Sequence, residues 1–318
     1  VPINPMHTSK DLQFYLDDSQ ANLIVCEDTL YESIISKAVN AYRNIPIFVT
    51  SPIDFLDQQD LPLQLAEHSK KYFPNTIDFS ELLDTMDRPD REHNLPCSDD
   101  IACIVYTSGT TGPPKGAMIK HKNITFNASI YQSFCQLNSH DVILGIAPLF
   151  HITGIVAYLA TGLFIGIPIV LFYRFNISDS LFYSEKWRVS FTLAPITFYI
   201  SILHHSEVNK IHFSTFQKAF TGGAPVPSTI VNDFMNRFGI YIHNAYGLTE
   251  STSPVTMTPF GLKSPTDIHS NTLSVGLITA NHEAWIMDVS QPNVEFPFGE
   301  IGELVVRGTA ITEGYCNN

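Results

Sequence analysis

Charge is scarce in this chain. Charged residues make up 15% of the 318, against roughly a quarter of an average soluble protein. With hydrophobic residues at 44%, that excludes disorder, which needs low hydrophobicity and high charge. It also excludes a coiled coil. Positive charge is the scarcer sign: Lys plus Arg is 18 and Asp plus Glu is 31, a net charge of −13. Such a chain repels a phosphate backbone, so no nucleic-acid partner is expected. An anionic ligand would need local donors instead. Cysteines number five, an odd count at irregular spacing with no CxxC pair. Neither a zinc ribbon nor a dithiol redox motif is indicated. Reduced thiols and a cytoplasmic location are the expectation. N-x-S/T triplets at Asn123, Asn127 and Asn176 stand without other signs of secretion. Also missing are the GxxxxGK[ST] phosphate loop and the G-x-S-x-G nucleophile motif.

Length makes two domains the soft prior. Ser9 is expected to cap a short helix with Leu12, Tyr15 and Leu16 on one face. Residues 22–26 read as a strand. Leu30, Ile34, Ile35, Ala38, Val39 and Tyr42 then follow a helical period, and 45–50 is again strand-like. Residues 51–100 read mostly as connection, with a helix near Leu63 to Tyr72. Ile101 to Tyr106 is a short apolar strand, and Asn123 caps a helix carrying Ile124, Tyr131, Phe134 and Leu137. Lys218 to Thr221 is a strand. A helix follows from Pro227 through Val231, Phe234 and Phe238, stopped by Gly239. Tyr241 to Tyr246 is the next strand. This rhythm predicts an α/β fold of mostly parallel sheets with covering helices. Beyond about residue 272 the pattern turns to strands alone (274–278, 284–289, 303–307), a small β-rich subdomain. The expected division is 1–270 for the α/β core and 271–318 for the subdomain.

Ile152 to Tyr173 runs 22 residues without a charge, long enough to span a bilayer, and contains Gly162-x-x-x-Gly166. Pro168 and the β-branched residues after it favour another reading: a buried helix ending near Gly166, then a buried strand at 169–173.

The strongest segment is Tyr106-Thr107-Ser108-Gly109-Thr110-Thr111-Gly112-Pro113-Pro114-Lys115-Gly116. Glycines let backbone N–H groups turn toward an anion. Ser108, Thr110 and Thr111 add hydroxyl donors, and Lys115 adds a point charge suited to phosphate. Gly116 after the lysine cannot supply a metal-binding hydroxyl, so Mg²⁺ needs a ligand elsewhere. The second segment, Asn244-Ala245-Tyr246-Gly247-Leu248-Thr249-Glu250, ends a strand. Tyr246 offers an aromatic face, Thr249 a hydroxyl and Glu250 a hard oxygen ligand. Gly222-Gly223-Ala224-Pro225 sits one βαβ unit earlier. Both loops should therefore meet at the carboxyl edge of the sheet, where open α/β sheets bind ligands.

In this order the segments resemble the adenylate-forming superfamily: acyl-CoA synthetases, peptide-synthetase adenylation domains and luciferases. Asn4-Pro5, Pro148-Leu149-Phe150-His151, Gly302-Glu303-Leu304, Gly308 and Gly314-Tyr315 extend the resemblance over nearly the whole chain. It looks closest to fatty-acyl-CoA synthetases and 4-coumarate-CoA ligases. The resemblance implies an ATP-dependent acid–CoA ligase. Such an enzyme activates a carboxylic acid as acyl-AMP, releases pyrophosphate and then forms the CoA thioester. Residues 107–115 would hold the ATP β- and γ-phosphates. Gly223, Ala224 and Pro225 would line the adenine slot, with Asn244, Ala245 and Gly247 around Tyr246, which stacks on the ring. Thr249 would contact the α-phosphate, Glu250 would hold Mg²⁺, and His151 would lie at the carboxylate end of the acyl pocket. A long-chain acid would add peripheral membrane contact.

The family's ribose-binding aspartate, hinge and C-terminal lysine have no match within residues 1–318, and neither do its early N-terminal helices. With Val1 in place of an initiator methionine, the expectation is a piece of a longer enzyme. Two other readings stay open. One is an adenylation domain loading an amino or aryl acid onto a carrier protein. The other is a nucleotide-binding remnant without activity. Amino-acid activators place an aspartate beside the position of Phe150 to pair the substrate ammonium. Here His151 stands there, which favours an acid with an apolar tail.

Overall fold

The computed structural model describes residues 1–39, 45–57, 61–86, 95–107, 112–206, 208–291 and 294–317. They form two compact units, Ile3–Pro96 and Cys97–Cys316.

In the first unit, helix α1 (Ser9–Asp18) precedes strand β1 (Ile24–Glu27). Helix α2 (residues 28–39) leads to β2 (Ile47–Thr50), and β3 (Ile77–Asp78) runs straight into α3 (Phe79–Thr85). The three strands are parallel, with β2 central. The cap of α1 is Thr8, not Ser9. The Thr8 hydroxyl accepts the Asp11 N–H while Asp11 accepts the Thr8 N–H, a reciprocal pair that Ser9 cannot make one residue later. Leu12, Tyr15 and Leu16 face the core as the period requires.

The helix expected over 63–72 shrinks to one 3-10 turn, Leu63–Leu65. Side chains explain the loss. His68 reaches buried Asp28 (3.1 Å) and Lys70 reaches Asp54 (2.9 Å) and Asp78 (2.7 Å), which ties this stretch to the carboxyl ends of the three strands. Ser51, His68 and Asp28 form no catalytic relay. Ser51 Oγ and Asp28 Oδ2 both approach the same ring nitrogen, Nε2.

In the second unit, β4 (Ile101–Thr107) and β5 (Lys115–Lys120) form an antiparallel hairpin. Helix α4 (His121–Phe134) follows. Asn123 lies inside its first turn, where its side chain accepts the Lys120 N–H (2.9 Å). A seven-stranded sheet then builds from β6 (Ile143–Leu144), β7 (Ile169–Val170), β8 (Phe191–Ala194), β9 (Lys218–Gly222), β10 (Ile242–Leu248), β11 (Ser253–Met257) and β12 (Leu277–Ile278). Its order is β12-β11-β10-β9-β8-β6-β7. The strands from β10 to β7 are parallel, and β11 and β12 are antiparallel additions. A separate pair, β13 (His282–Met287) and β14 (Glu303–Gly308), carries the late strands.

Both faces of the large sheet are covered. Alternation along each strand sends Ile143, Phe191, Leu193 and Phe220 into one cluster and Leu144, Ala194, Ala219 and Ile242 into another. The first packs on α4 and on α5 (residues 154–165). The second packs on α7 (Ile196–His204) and α8 (Ser228–Phe238). Helix α6 (Ile177–Lys186) connects β7 to β8. Gly239, at φ 78°, ends α8.

The uncharged stretch resolves as α5, a left-handed Gly166 and the short β7. Gly162 is there for close packing: a Cβ would sit 2.6 Å from Ile169 Cδ1. Among the described residues no helix is long and apolar enough to cross a membrane.

One consequence concerns acid. His243 is buried beside β9, stacked on Phe220 (centroids 4.7 Å apart). Its Nδ1–H donates to the Ala219 carbonyl (3.1 Å), while Nε2 accepts the Gly261 N–H (3.2 Å). Both bonds together require the neutral ring. Burial lowers its pKa below the ordinary imidazole value, and it does the same for His282. The stability they contribute is complete above the unfolded value of about 6.5. It is lost as pH falls from there through the lowered folded values. The urea midpoint should be lower at pH 5.5 than at pH 7.5; a flat profile would contradict this.

Candidate active site

Strands β9 and β10 are parallel neighbours, and Gly222 stands opposite Ala245. The segment 222–225 leaves the carboxyl end of β9 exactly where Tyr246 begins the end of β10, so the two sequence-predicted loops meet at one edge. Gly222 is required there, since a Cβ would lie 2.7 Å from the Ala245 carbonyl oxygen. Gly223 (φ 82°), Ala224 and Pro225 are exposed along this edge. Asn244 and Ala245 are buried in the strand. The Asn244 amide is engaged by the carbonyls of Leu273 (3.4 Å) and Ser274 (3.1 Å).

Thr249 and Glu250 sit in the turn between β10 and β11, a strained one. Thr252 has φ 53° and Ser253 φ 91°, values that β-branched and other non-glycine residues rarely adopt. Several contacts hold them. The Asn127 amide donates to the carbonyls of Ser251 (3.0 Å) and Thr252 (2.6 Å). Tyr131 pairs with the Ser253 hydroxyl (2.6 Å), and the Thr252 hydroxyl donates to the Ala310 carbonyl (2.8 Å). Strain of this kind persists only where the surroundings over-determine it. Helix α4 thus fixes the backbone that carries Glu250.

The phosphate-loop candidate lies in the β4–β5 hairpin. Thr107 pairs with Lys115, which is exposed at the hairpin's end. Gly116 is forced by packing, because a Cβ would meet Ile104 Cγ2 at 2.7 Å and the Tyr106 ring at 3.0 Å. Ser108, Gly109, Thr110 and Thr111 lie outside the described residues. Gly112 is exposed.

The hairpin is not part of the large sheet, but Tyr315 links its end to the turn after β10. Tyr315 donates its hydroxyl to Glu250 Oε1 (2.7 Å), and the Lys115 ammonium stands 5.2 Å from its ring centroid. The Glu250 carboxylate, by hydrogen bond and charge, together with partial burial, pushes the Tyr315 pKa up to about 12. The sequence pattern marked Gly314-Tyr315 without assigning it a contact.

His151 follows β6 at the same edge. Its loop is pinned from beneath: Tyr158 accepts the Ala147 N–H (3.1 Å) and donates to the Leu193 carbonyl (2.6 Å). Gly154 lets the Pro148 carbonyl approach, since a Cβ there would be 2.2 Å from its oxygen. The ring is partly open to solvent. Its Nδ1 accepts the Thr153 N–H (3.2 Å), which leaves Nε2 to carry the proton. The desolvated side of the ring lowers its pKa.

Among the described residues no group of three or more His, Cys, Asp or Glu could hold a metal. Magnesium needs less, usually one or two carboxylates plus substrate phosphates and water. Glu250 fits that role: one oxygen is fixed by Tyr315, and no other described residue hydrogen-bonds the second. A cavity of about 470 Å³, lined by residues including His140, Asp141, Arg188 and Lys218, lies at the opposite, amino end of the strands, and Lys218 there is paired with Asp141 (2.7 Å).

The model of the AMP-binding enzyme family matches residues 1–316. The chain belongs to that family. It is 29% identical to a long-chain-fatty-acid–CoA ligase of Bacillus subtilis (strain 168), over all of this chain and 57% of that protein. It is 28% identical to 4-coumarate–CoA ligase 1 of Petroselinum crispum, over 99% of this chain and 54% of that protein. The chain thus spans little more than half the length of these relatives. An anthranilate CoA ligase solved with anthranoyl-AMP shares the fold: TM-score 0.84, 20% identity, covering all of this chain and 56% of that one.

Proposed function

We propose that this chain is the nucleotide- and acid-binding part of an ATP-dependent acid–CoA ligase. The observation that carries the reading is the convergence of three segments. The β9 and β10 loops share one carboxyl edge, and Tyr315 ties the lysine-bearing hairpin to Glu250 in the turn after β10. Family membership and the two ligase relatives support it.

In this reading a carboxylate attacks the α-phosphorus of ATP and pyrophosphate leaves in line. Two anions must approach, so the site needs donors and cations aimed at the developing charge. Lys115 faces the leaving phosphates, and the sequence of 107–112 offers N–H and hydroxyl donors for them. Exposed Gly223, Ala224 and Pro225 with Tyr246 line the adenine slot, and Thr249 meets the α-phosphate. Glu250 would hold Mg²⁺, which when bound neutralises phosphate charge. His151, neutral and with Nε2–H outward, can donate a hydrogen bond at the acid's carboxylate end. The CoA thiol then takes the acyl group from the adenylate and AMP leaves.

The test is acid-dependent exchange of labelled pyrophosphate into ATP by the intact protein, over a panel of fatty and aryl acids. AMP release with CoA but not with carrier protein is expected. The reverse would favour carrier loading, and no exchange with any acid would favour a binding remnant. Glu250→Gln should raise the Mg²⁺ concentration for half-maximal exchange about tenfold, because an amide oxygen is a weaker ligand for a hard cation. An unchanged Mg²⁺ titration would remove Glu250 from this role.

A further inference from the structure

We infer that Tyr315 is a positioning residue that sets both polar ends of the phosphate site: its hydroxyl orients the Glu250 carboxylate and its ring stations the Lys115 ammonium. The inference rests on the adenylation reading above.

The two groups come from different pieces of the fold. Lys115 belongs to the two-stranded hairpin, and Glu250 to a turn of the seven-stranded sheet. Val105 and Ile119 of the hairpin share a hydrophobic cluster with Ala245 and Met257 of the large sheet, which sets the coarse spacing. The strap 309–316 adds polar bonds to both pieces at the site itself. On the hairpin side, Met118 N–H donates to the Gly314 carbonyl (3.1 Å) and Cys316 N–H to the Gly116 carbonyl (2.8 Å). Tyr315 thereby forms a single antiparallel bridge with Ala117. Lys120 adds an ion pair to Glu313. On the turn side, Thr312 N–H donates to the Glu250 carbonyl (2.8 Å) and the Ala310 carbonyl accepts from Thr252. Asn123 holds the start of the strap through the Thr309 carbonyl (2.8 Å).

Tyrosine suits this place for two separable reasons. A phenol O–H gives Glu250 one directional donor and occupies one carboxylate oxygen, leaving the second for a cation. The ring face attracts an ammonium without neutralising it, as a carboxylate there would. Lys115 therefore keeps its charge for the phosphates.

The experiment uses the intact protein and its Tyr315→Phe and Tyr315→Leu variants. Mn²⁺ binding in the presence of a non-hydrolysable ATP analogue is followed by electron paramagnetic resonance, and pyrophosphate binding by calorimetry. Tyr315→Phe keeps the ring and loses the donor. Its Mn²⁺ dissociation constant should rise about three- to tenfold, below the full worth of a charged hydrogen bond because the pair is only half-buried. Its pyrophosphate affinity should stay unchanged. Tyr315→Leu should show the same Mn²⁺ loss and also weaken pyrophosphate about two- to fivefold. Should Tyr315→Leu fail to fold, Tyr315→Trp tests the ring, with pyrophosphate affinity preserved.

Unchanged or tighter Mn²⁺ binding in Tyr315→Phe would overturn the inference, the tighter case making the hydroxyl a competitor for Glu250. Equal pyrophosphate loss in the Phe and Leu variants would overturn the role of the ring. Failure of the unaltered protein to bind the nucleotide would instead strike the adenylation reading itself, before any variant is compared.

Discussion

Lys115→Ala is expected to slow acid-dependent exchange of pyrophosphate into ATP by about a hundredfold, while AMP affinity changes by less than about threefold. The asymmetry follows from position. Lys115 stands at the end of the β4–β5 hairpin, above the Tyr315 ring. The adenine-slot candidates 223–225 and 246 lie at the end of the large sheet. In the proposed arrangement the ammonium faces the leaving phosphates, where charge builds as the bond to pyrophosphate breaks. AMP carries no β- or γ-phosphate and never meets it. Loss of one donor aimed at developing charge commonly costs 10²–10³ in rate, and the exposure of Lys115 puts the expectation at the low end. Calorimetry with ATP, AMP and pyrophosphate, beside the exchange rate, checks it. Equal losses in ATP and AMP affinity would take Lys115 away from the leaving group.

Much of this site is legible in the sequence because it depends on neighbours in the chain. The αL glycine ending a helix at 239, the two strands read at 218–221 and 241–246, and the βαβ spacing between them are local signals; the strands themselves end at Gly222 and Leu248. Right-handed parallel connectivity then brings the two loops to one edge. What escapes the sequence is long-range. Lys115 and Gly116 close the phosphate-loop segment and no strand is read at 115–120, yet these residues form one because β4 supplies a partner and Gly116 makes room for Tyr106. Tyr315 meets Glu250 across 65 residues. Asn127 and Tyr131 look like ordinary positions of α4, but they brace a turn more than a hundred residues later. Thr8 displaces Ser9 as a cap through a contact three residues away, which a cap-residue preference alone does not decide.

That braced turn is also where the largest stability effect is expected. Gly247→Ala should destabilise the protein by about 3 kcal/mol or more. The register between β10 and β11 shifts between Tyr246 and Gly247, which brings the backbone of Ser253 and Pro254 onto residue 247. A Cβ at 247 would lie 1.8 Å from the Ser253 carbonyl oxygen and 2.9 Å from Pro254 Cα. Both are backbone atoms, so no rotamer change relieves the overlap. The strands must part or the turn must shift. Ser253 is already at positive φ and is bound by Tyr131, and the preceding carbonyls are bound by Asn127, so the turn has little freedom to yield. Whatever moves carries Glu250, two residues from Thr252. Gly223→Ala is the control. Gly223 has φ 82° but nothing within 4 Å of an added Cβ. That substitution should cost only the backbone preference, about 1 kcal/mol. Urea denaturation of the two variants separates overlap from conformational preference. A Gly247→Ala loss no larger than that of Gly223→Ala would mean that β10 and β11 part without resistance, and that the brace on Glu250 is weaker than its contacts imply.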